Sequence, residues 1–581
     1  MKNIVKSLVA MGITSALAVS AVHAASYEVI DRGEVSSLKY TYAQQENNNG
    51  ESVLSGTENY NIPVLFQYLD EDDYDAIVSL AERSHEIVLD LNDIEDETSL
   101  REGDPNANDF AWVIRYLKSI SSFNYQKIND TVVLLNQGGD SQEITIFDVP
   151  FDNTSTLTRS TTDFVNGITD NGWVYGNGSA PYLPVDFTNS DDEDVTFWLR
   201  DFNTRAFITN DQGATIKTIT APDTSFYNGE SAILDIEGFT AVGYASVATN
   251  VNVVESIEET DGGCADQDIL DDTPYDACVQ SFVSATDFYH LNAYVWTLDE
   301  NANVVEGNSL GLLVTPNSED ERVYRSYAQA VNEDGVVVGF SHGWIDETET
   351  EPSQNEARSL YAVVYKDGEV ISFTEDHAEH FDSRAYDINN SGIAVGHVNT
   401  FINGNLRTKF YYVDTSVPAD EMQMVFPNDY FEGSSSTARA INESGFIVGE
   451  GEIETQSGST TRRTNGFLYD LHNDNFTNIN DLTECNSPYS IIEARDINDN
   501  NEISATAIVK APRRDAKGEL MYDDEGNQLT EDVVRAVTLV PTGGEVEDCS
   551  QVEDVIERQG AGFGFGLLGL MLTFGLRRWV K

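Results

Sequence analysis

The chain has 581 residues, with 33 Lys and Arg against 99 Asp and Glu, a formal net charge of −66. Such a surface repels phosphate backbones and excludes nucleic acid as a partner, while a 40% apolar content excludes global disorder. The 26 Tyr, 27 Phe and 42 Gly favour an all-β protein, and the acidic balance leaves two readings: a solvated shell, or attraction of divalent cations.

Residues 1–24 read as a signal peptide. Lys2 and Lys6 precede an apolar run over residues 8–19, and Val22-His23-Ala24 puts small residues where a signal peptidase cuts. The run is short for a membrane span. Export suits four cysteines in a large chain. Four cysteines allow three connectivities; Cys264 and Cys278 flank one acidic loop, so the expected pairs are Cys264–Cys278 and Cys485–Cys549. The absence of Cys-x-x-Cys gives no support to zinc or dithiol redox chemistry.

Residues 75–122 turn helical. Phe110, Val113, Ile114 and Leu117 fall at helical spacing, and Asp109 can cap the segment. This predicts a small helical insertion, either packed over one face of the molecule or engaging a partner.

The rest is organised by one unit, Ala385-Tyr386-Asp387-Ile388-Asn389-Asn390-Ser391-Gly392-Ile393-Ala394-Val395-Gly396. Asn389 suits the first position of a type I turn and Gly392 the fourth, where φ > 0 is needed; the flanking residues then pair as a hairpin. The pattern recurs with Ala328, Asn332, Gly335 and Gly339, and with Ala438, Asn442, Gly445 and Gly449. Ala494 and Asn498 keep its first half, with Asn501 and Ala505 replacing the glycines. Looser copies are Ala43, Asn47 and Gly50 with Gly56 displaced, then Thr169, Gly172 and Gly176, then Ala232 and Gly243.

Gly339, Gly396, Gly449 and Ala505 are separated by 57, 53 and 56 residues. That period fits about four strands with their turns. The remaining strands are visible between copies, as in Leu360–Tyr365 before Glu369–Phe373, and Asn465–Asp470 before Phe476–Ile479. The prediction is an all-β fold: a β-propeller of about seven four-stranded antiparallel blades over residues 25–545, the repeated alanines lying where blades converge. A β-solenoid and two stacked sandwiches are the alternatives. Residues 511–531 read as a long exposed hairpin.

The Ala-x-x-Ile-Asn-x-x-Gly-x-x-Val-Gly unit, followed by a strand of small and aromatic residues, resembles the extracellular HAF-repeat proteins. The His-Ala-Phe step occurs here only in altered forms, Arg205-Ala206-Phe207 and Asn465-Gly466-Phe467. The resemblance spans most of residues 34–541 and implies an exported protein of Gram-negative bacteria. It implies no established activity and no catalytic residues.

Candidate chemistry is sparse. Calcium needs six to eight converging oxygens, and the acidic runs Asp70–Asp75 and Asp191–Asp194 lack the spacing of a twelve-residue calcium loop. The best calcium candidates are Asp266, Asp268, Asp271 and Asp272, in the loop that a disulfide would restrain. His377 and His380 could share a helical face, but Asp376 and Glu379 fit a surface segment equally well. No His-Glu-x-x-His or phosphate-binding loop is present.

The chain closes with an acidic linker over residues 546–560 and a hydrophobic tail over 561–581 ending in Arg577, Arg578 and Lys581. Its apolar part is a short membrane span, with the basic residues kept cytoplasmic. The tail resembles the glycine-rich sorting signals of Gram-negative bacteria, which a rhomboid-type protease removes, although Ala561 splits the glycine pair here; the alternative is a permanent inner-membrane anchor. The expected protein is an exported binding or scaffold protein of the cell surface or periplasm. Its partner would be an envelope protein or a glycan, and the tail would contact the membrane before any processing. The alternative is a secreted polysaccharide hydrolase or lyase using carboxylates in the propeller channel.

Overall fold

The computed structural model describes residues 26–544, except 89, 152–153 and 456–460. The expected signal peptide, acidic linker and hydrophobic tail, with Cys549, lie outside the described residues.

Seven antiparallel sheets follow one another around an axis as a β-propeller. The innermost strands of blades 1 to 7 are Leu38–Glu46, Asp163–Ile168, Ser231–Glu237, Ser326–Val331, Phe381–Ile388, Ser436–Ile441 and Ser490–Ile497. Six sheets have four strands; blade 5 has three, extended by a bridge from Tyr412 to Val425. Blade 7 takes its outermost strand, Tyr27–Asp31, from the start of the described chain, paired antiparallel with Thr530–Pro541. Arg535 and Ala536 then bond Lys39 and Thr41 of blade 1, closing the ring.

The turn predicted from the repeat joins the first strand of a blade to its second. In blade 5, the Gly392 N–H donates to the Asn389 carbonyl (3.0 Å) and the Ile393 N–H to Asn389 Oδ1 (3.0 Å). Gly335, Gly392 and Gly445 hold φ of 74°, 81° and 77°, and Asn501 takes the same place in blade 7 at 61°. Asn is the usual residue other than Gly in that conformation. The eleventh position is glycine for a different reason. A Cβ on Gly339, Gly396 or Gly449 would sit 1.9 Å from a carbonyl oxygen of the paired inner strand. The repeated Ala328, Ala385, Ala438 and Ala494 are fully buried between blades. In blade 3 the residue paired with the glycine is Ile233, one beyond the predicted Ala232, and Leu54 rather than Gly56 is the equivalent in blade 1.

The first-to-second turns define the lower face. Connections from second to third strands leave at the opposite, upper face, and every long insertion is there. Blade 1 carries helices Glu71–Ser84, Glu97–Arg101 and Ala107–Ser119, as predicted; blade 2 carries a hairpin, Leu183–Thr188 with Asp194–Leu199. Blade 3 adds helices Val251–Glu258, Gln267–Leu270 and Tyr275–Ala285, which the sequence reading missed. These insertions grip each other. Trp198 N–H donates to Phe123 O, Gln280 joins Arg200 to the Trp198 carbonyl, and Lys517 on the blade 7 hairpin donates to Pro105 O. Blades 7, 1, 2 and 3 therefore share a crown, and blades 4 to 6 carry shorter loops.

Candidate functional site

Each inner strand runs from the upper face to the lower, so equivalent positions stack as rings around the channel. At the lower end, the turn asparagines link blade to blade. Asn332 Nδ2 donates to Asn389 O, Asn389 to Asn442 O, Asn442 to Asn498 O, Asn498 to Asn47 O, and Asn47 to Thr169 O, all at 3.0–3.2 Å. The next residue repeats the arrangement, each backbone N–H finding the following turn's side-chain oxygen: Glu333 to Asn390, Asn390 to Glu443, Glu443 to Asp499, Asp499 to Asn48, and Asn48 to Asp170.

One level up, the ring reads Gln45, Gly167, Asp235, Ala330, Asp387, Ala440 and Asp496 through blades 1 to 7. Asp387 accepts from Ile388 N–H and from Ile441 N–H of the next blade, both at 2.8 Å. Asp235 bonds Ile236 and Val331 in the same way, Asp496 bonds Ile497 and Glu46, and Gln45 bonds Ile168. Long acceptors thus alternate with small residues. Seven is odd, so two acceptors must adjoin, and there a neutral Gln45 stands beside Asp496. Gly167 leaves room for the Tyr175 hydroxyl, 3.2 Å from Asp235 Oδ1 and 3.4 Å from Gln45 Oε1. Burial, reinforced by the neighbouring carboxylates, raises Asp387 to about 7 and Asp496 to about 8. Burial raises Asp235 as well. Because each carboxyl accepts one backbone N–H from its own blade and one from the next, these aspartates are straps between blades.

The upper channel is chemically different. Gln44, Asn166, Leu234, Gln329, Tyr386, Arg439 and Arg495 occupy the bulged position of the seven inner strands, each half-buried. Arg439 forms a fork on Glu450 (2.6 and 3.0 Å), reaches Glu493 of blade 7 at 3.8 Å, and lies 5.4 Å from the Tyr386 ring. His397, between Arg384 and Arg439, is pushed down to about 3 by burial and by those two cations. It is therefore neutral, and its Nδ1 is buried without a partner. Phe164 is 44% exposed at the mouth, and Tyr244 and Tyr327 meet edge to face at 5.1 Å. Above them Glu230 lies within the fields of Arg325 and Arg200 and bonds Asn203; burial outweighs these and raises its carboxyl.

A model of the family described as "Protein of unknown function (DUF3466)" matches residues 3–579. The chain belongs to that family. No curated protein matches the DUF3466 chain. Its fold is similar to a Dyadobacter fermentans protein of unknown function, at 8% identity and a TM-score of 0.31, covering 90% of this chain and 99% of that one. It is also similar to a puromycin-hydrolyzing peptidase of Mycobacterium tuberculosis at 10% identity and 0.32, covering 68% of this chain and 48% of the peptidase. A Vibrio parahaemolyticus oligogalacturonate lyase matches at 10% and 0.23, covering 65% and 96%. Scores this low carry no inference about activity.

The calcium candidates of the DUF3466 chain are engaged separately. Asp266 caps helix Gln267–Leu270 through Asp268 N–H and accepts from Gly262 N–H; Asp271 accepts from Gln267, and Asp272 from Ser190. Among the described residues, no group of three or more His, Cys, Asp or Glu side chains is placed to hold a metal ion. His377 stacks on Tyr361 at 3.6 Å with Nδ1 on the Trp344 carbonyl, whereas His380 is turned to the Glu375 carbonyl, so the pair does not converge. Cys264 and Cys278 form the predicted disulfide, which ties the helix Tyr275–Ala285 to the loop before it; Cys485 is also disulfide-bonded. A cleft of about 270 Å³ between the blade 1 insertion and the blade 7 hairpin is lined by Phe66, Phe110, Pro63, Asp104 and Lys517. Lys517 is already committed to the Pro105 carbonyl and the Phe110 ring, so this cleft is a packing seam between insertions.

The sequence reading missed the upper-channel residues. A signal was present for two of them: Arg439 and Arg495 each follow the repeated alanine directly.

Proposed function

We propose that the chain is an exported binding protein that presents the upper face of its propeller to a glycan or protein of the cell envelope. The observation that carries this reading is the asymmetry of the two faces. The long insertions and the cluster of Arg and Tyr side chains lie at the upper end, and the lower end is closed by repeated turns whose asparagines are spent on one another. Variable loops on a rigid scaffold are where binding residues concentrate. Export is supported by the leader-like start of the sequence and by the Cys264–Cys278 disulfide.

The rival reading is polysaccharide cleavage by channel carboxylates. Asp235, Asp387 and Asp496 serve it poorly, because their oxygens are held by backbone N–H groups. The test is to screen the purified chain against glycan and envelope-protein libraries, while assaying polysaccharides for new chain ends. Saturable binding without cleavage is the expected result. Turnover abolished by Glu230→Gln or Glu493→Gln would replace the binder with an enzyme.

A further inference from the structure

We infer that the upper channel mouth takes an acidic oligosaccharide, with Arg200 and Arg325 holding its acid group and the tyrosines around them carrying its rings. This inference deepens the binding reading above and rests on it. The chain carries three acidic residues for every basic one, yet arginines gather at this mouth: Arg200 from the crown, Arg325 entering blade 4, Arg384 in blade 5, Arg439 in blade 6 and Arg495 in blade 7. Placing cations together in so anionic a molecule makes this the region where an anion is least repelled.

The hydrogen-bond accounting points the same way. Buried polar atoms without partners are rare and call for an explanation. Arg200 Nε and Arg325 Nε are both buried donors with no acceptor. Their other commitments are partial. Arg200 Nη2 bonds Asn203 Oδ1 at 2.5 Å, and its guanidinium also bonds the Tyr227 hydroxyl and lies 4.8 Å over the Tyr182 ring; Arg325 Nη2 forms an ion pair with the exposed Asp287 at 3.0 Å. Glu230 feels the fields of both arginines, but burial raises its carboxyl toward the neutral form. Arg495 has no hydrogen-bond or ion-pair partner among the described residues. Arg384 and Arg439 are ion-paired within the mouth, to Asp382 and to Glu450, so the donors left open are the two buried Nε groups of Arg200 and Arg325, along with Arg495. Carboxylate and sulfate groups both match that fork geometry.

The neutral lining favours a sugar over a peptide. Tyr244 and Tyr327 are half-buried beside Glu230 and Arg325, Tyr227 is half-buried beside Arg200, and Gln44, Asn166, Gln329 and Asn203 add amides. Aromatic faces stack on sugar rings, and amides and phenols pair with hydroxyls. A peptide site would need apolar pockets for side-chain anchors, and Leu234 is the only aliphatic residue of the bulged ring.

The test is titration calorimetry on the purified chain with four probes: a uronic-acid trisaccharide, a sulfated trisaccharide, a neutral trisaccharide, and a tetraglutamate peptide. The acidic sugars should bind at least about tenfold tighter than the other two, an advantage that shrinks with added salt. The difference between the uronate and the sulfate identifies the acid group. Arg200→Gln and Arg325→Gln should each remove most of that advantage, with Arg200→Lys restoring part of it, and thermal melts would verify that the variants fold. Equal binding of neutral and acidic sugars, unchanged affinity in both arginine variants, or a preference for the peptide overturns the inference and leaves the binding reading standing. Cleavage of the sugars overturns the binding reading itself.

Discussion

The two ends of the channel are built on opposite principles. At the lower end, one short sequence device recurs, and successive blades hand the same hydrogen bond to one another. At the upper end the blades differ: the bulged position runs Gln, Asn, Leu, Gln, Tyr, Arg, Arg, five residue types in seven blades. Repetition fixes the architecture, and departures from it supply the chemistry. Substitutions at the lower end should therefore act on stability and those at the upper end on binding.

The largest expected effect is at the close approach of the first two strands. Gly396→Val puts a side chain 1.9 Å from the Arg384 carbonyl, a backbone atom with nowhere to move. A loss of about 3–5 kcal/mol in chemical denaturation is expected. Blade 7 sharpens the case. There Ala505 occupies the equivalent place opposite Ala494 and its Cβ is already accommodated, so Ala505→Gly should change stability far less. Equal effects at the two sites would break the view that the glycine is sterically required.

Next comes the lower ring. Asn442→Ala removes the bond that Phe446 N–H donates to Asn442 Oδ1 and the bonds that Asn442 Nδ2 donates to Asn498 O and Asn501 Oδ1. At about 1 kcal/mol each, a loss of about 2–3 kcal/mol is expected. The upper-face Asn228, with one side-chain bond to Asp201 O and a φ of 59°, should cost under about 1 kcal/mol as Asn228→Gly, which keeps that backbone conformation. Urea midpoints compare the two directly, and a larger loss at Asn228 would reverse the assignment of roles.

These contrasts explain what the sequence disclosed. The fold was legible because Asn332, Asn389 and Asn442 perform the same local act, a turn that needs Asn first and a positive-φ residue fourth. Local chemistry at a fixed period is what a sequence displays directly. The strapping aspartates were half legible: Asp387 and Asp496 precede Ile-Asn and Asp235 precedes Ile-Glu, but their partners, such as Ile441 N–H, lie about 50 residues on. The helices of residues 251–285 were hidden behind their acidic loop, although Val253, Val254 and Ile257 have helical spacing. The Arg200–Glu230–Arg325 group has no sequence signature, since its members come from an insertion and two unrelated strand entries.

The crown gives a third, local effect. Cys264→Ser with Cys278→Ser opens a 14-residue separation in the blade 3 insertion. Closing such a loop contributes up to about 3 kcal/mol, in a segment outside the sheets. Limited proteolysis should become faster within residues 251–285, while the main melting transition stays nearly fixed. A collapse of the main transition would mean that the crown holds the ring together.

The smallest effect tests the aspartate straps, and its sign discriminates. Asp387 and Asp496 titrate in the folded protein at about 7 and about 8, because burial and neighbouring carboxylates disfavour their ionised forms. In the unfolded chain an aspartate titrates near 3.9. The fold thus binds these protons more tightly, and the stability they contribute is fully present below about pH 4 and is lost as pH rises through 7 and 8. The net charge of −66 adds a fall of the same sign, so the wild-type slope alone cannot separate the two. Asp387→Asn and Asp496→Asn can. Each removes one titration while leaving one side-chain oxygen to accept from a backbone N–H, so each should lower the melting temperature somewhat at pH 5 and flatten its decline between pH 5 and 9. The flattening corresponds to about 1 kcal/mol per site, since the carboxyls retain some access to channel water. A double variant with an undiminished slope would place the pH dependence on the surface charge, and the strap ring would then be carrying ionised carboxylates held by their backbone N–H partners.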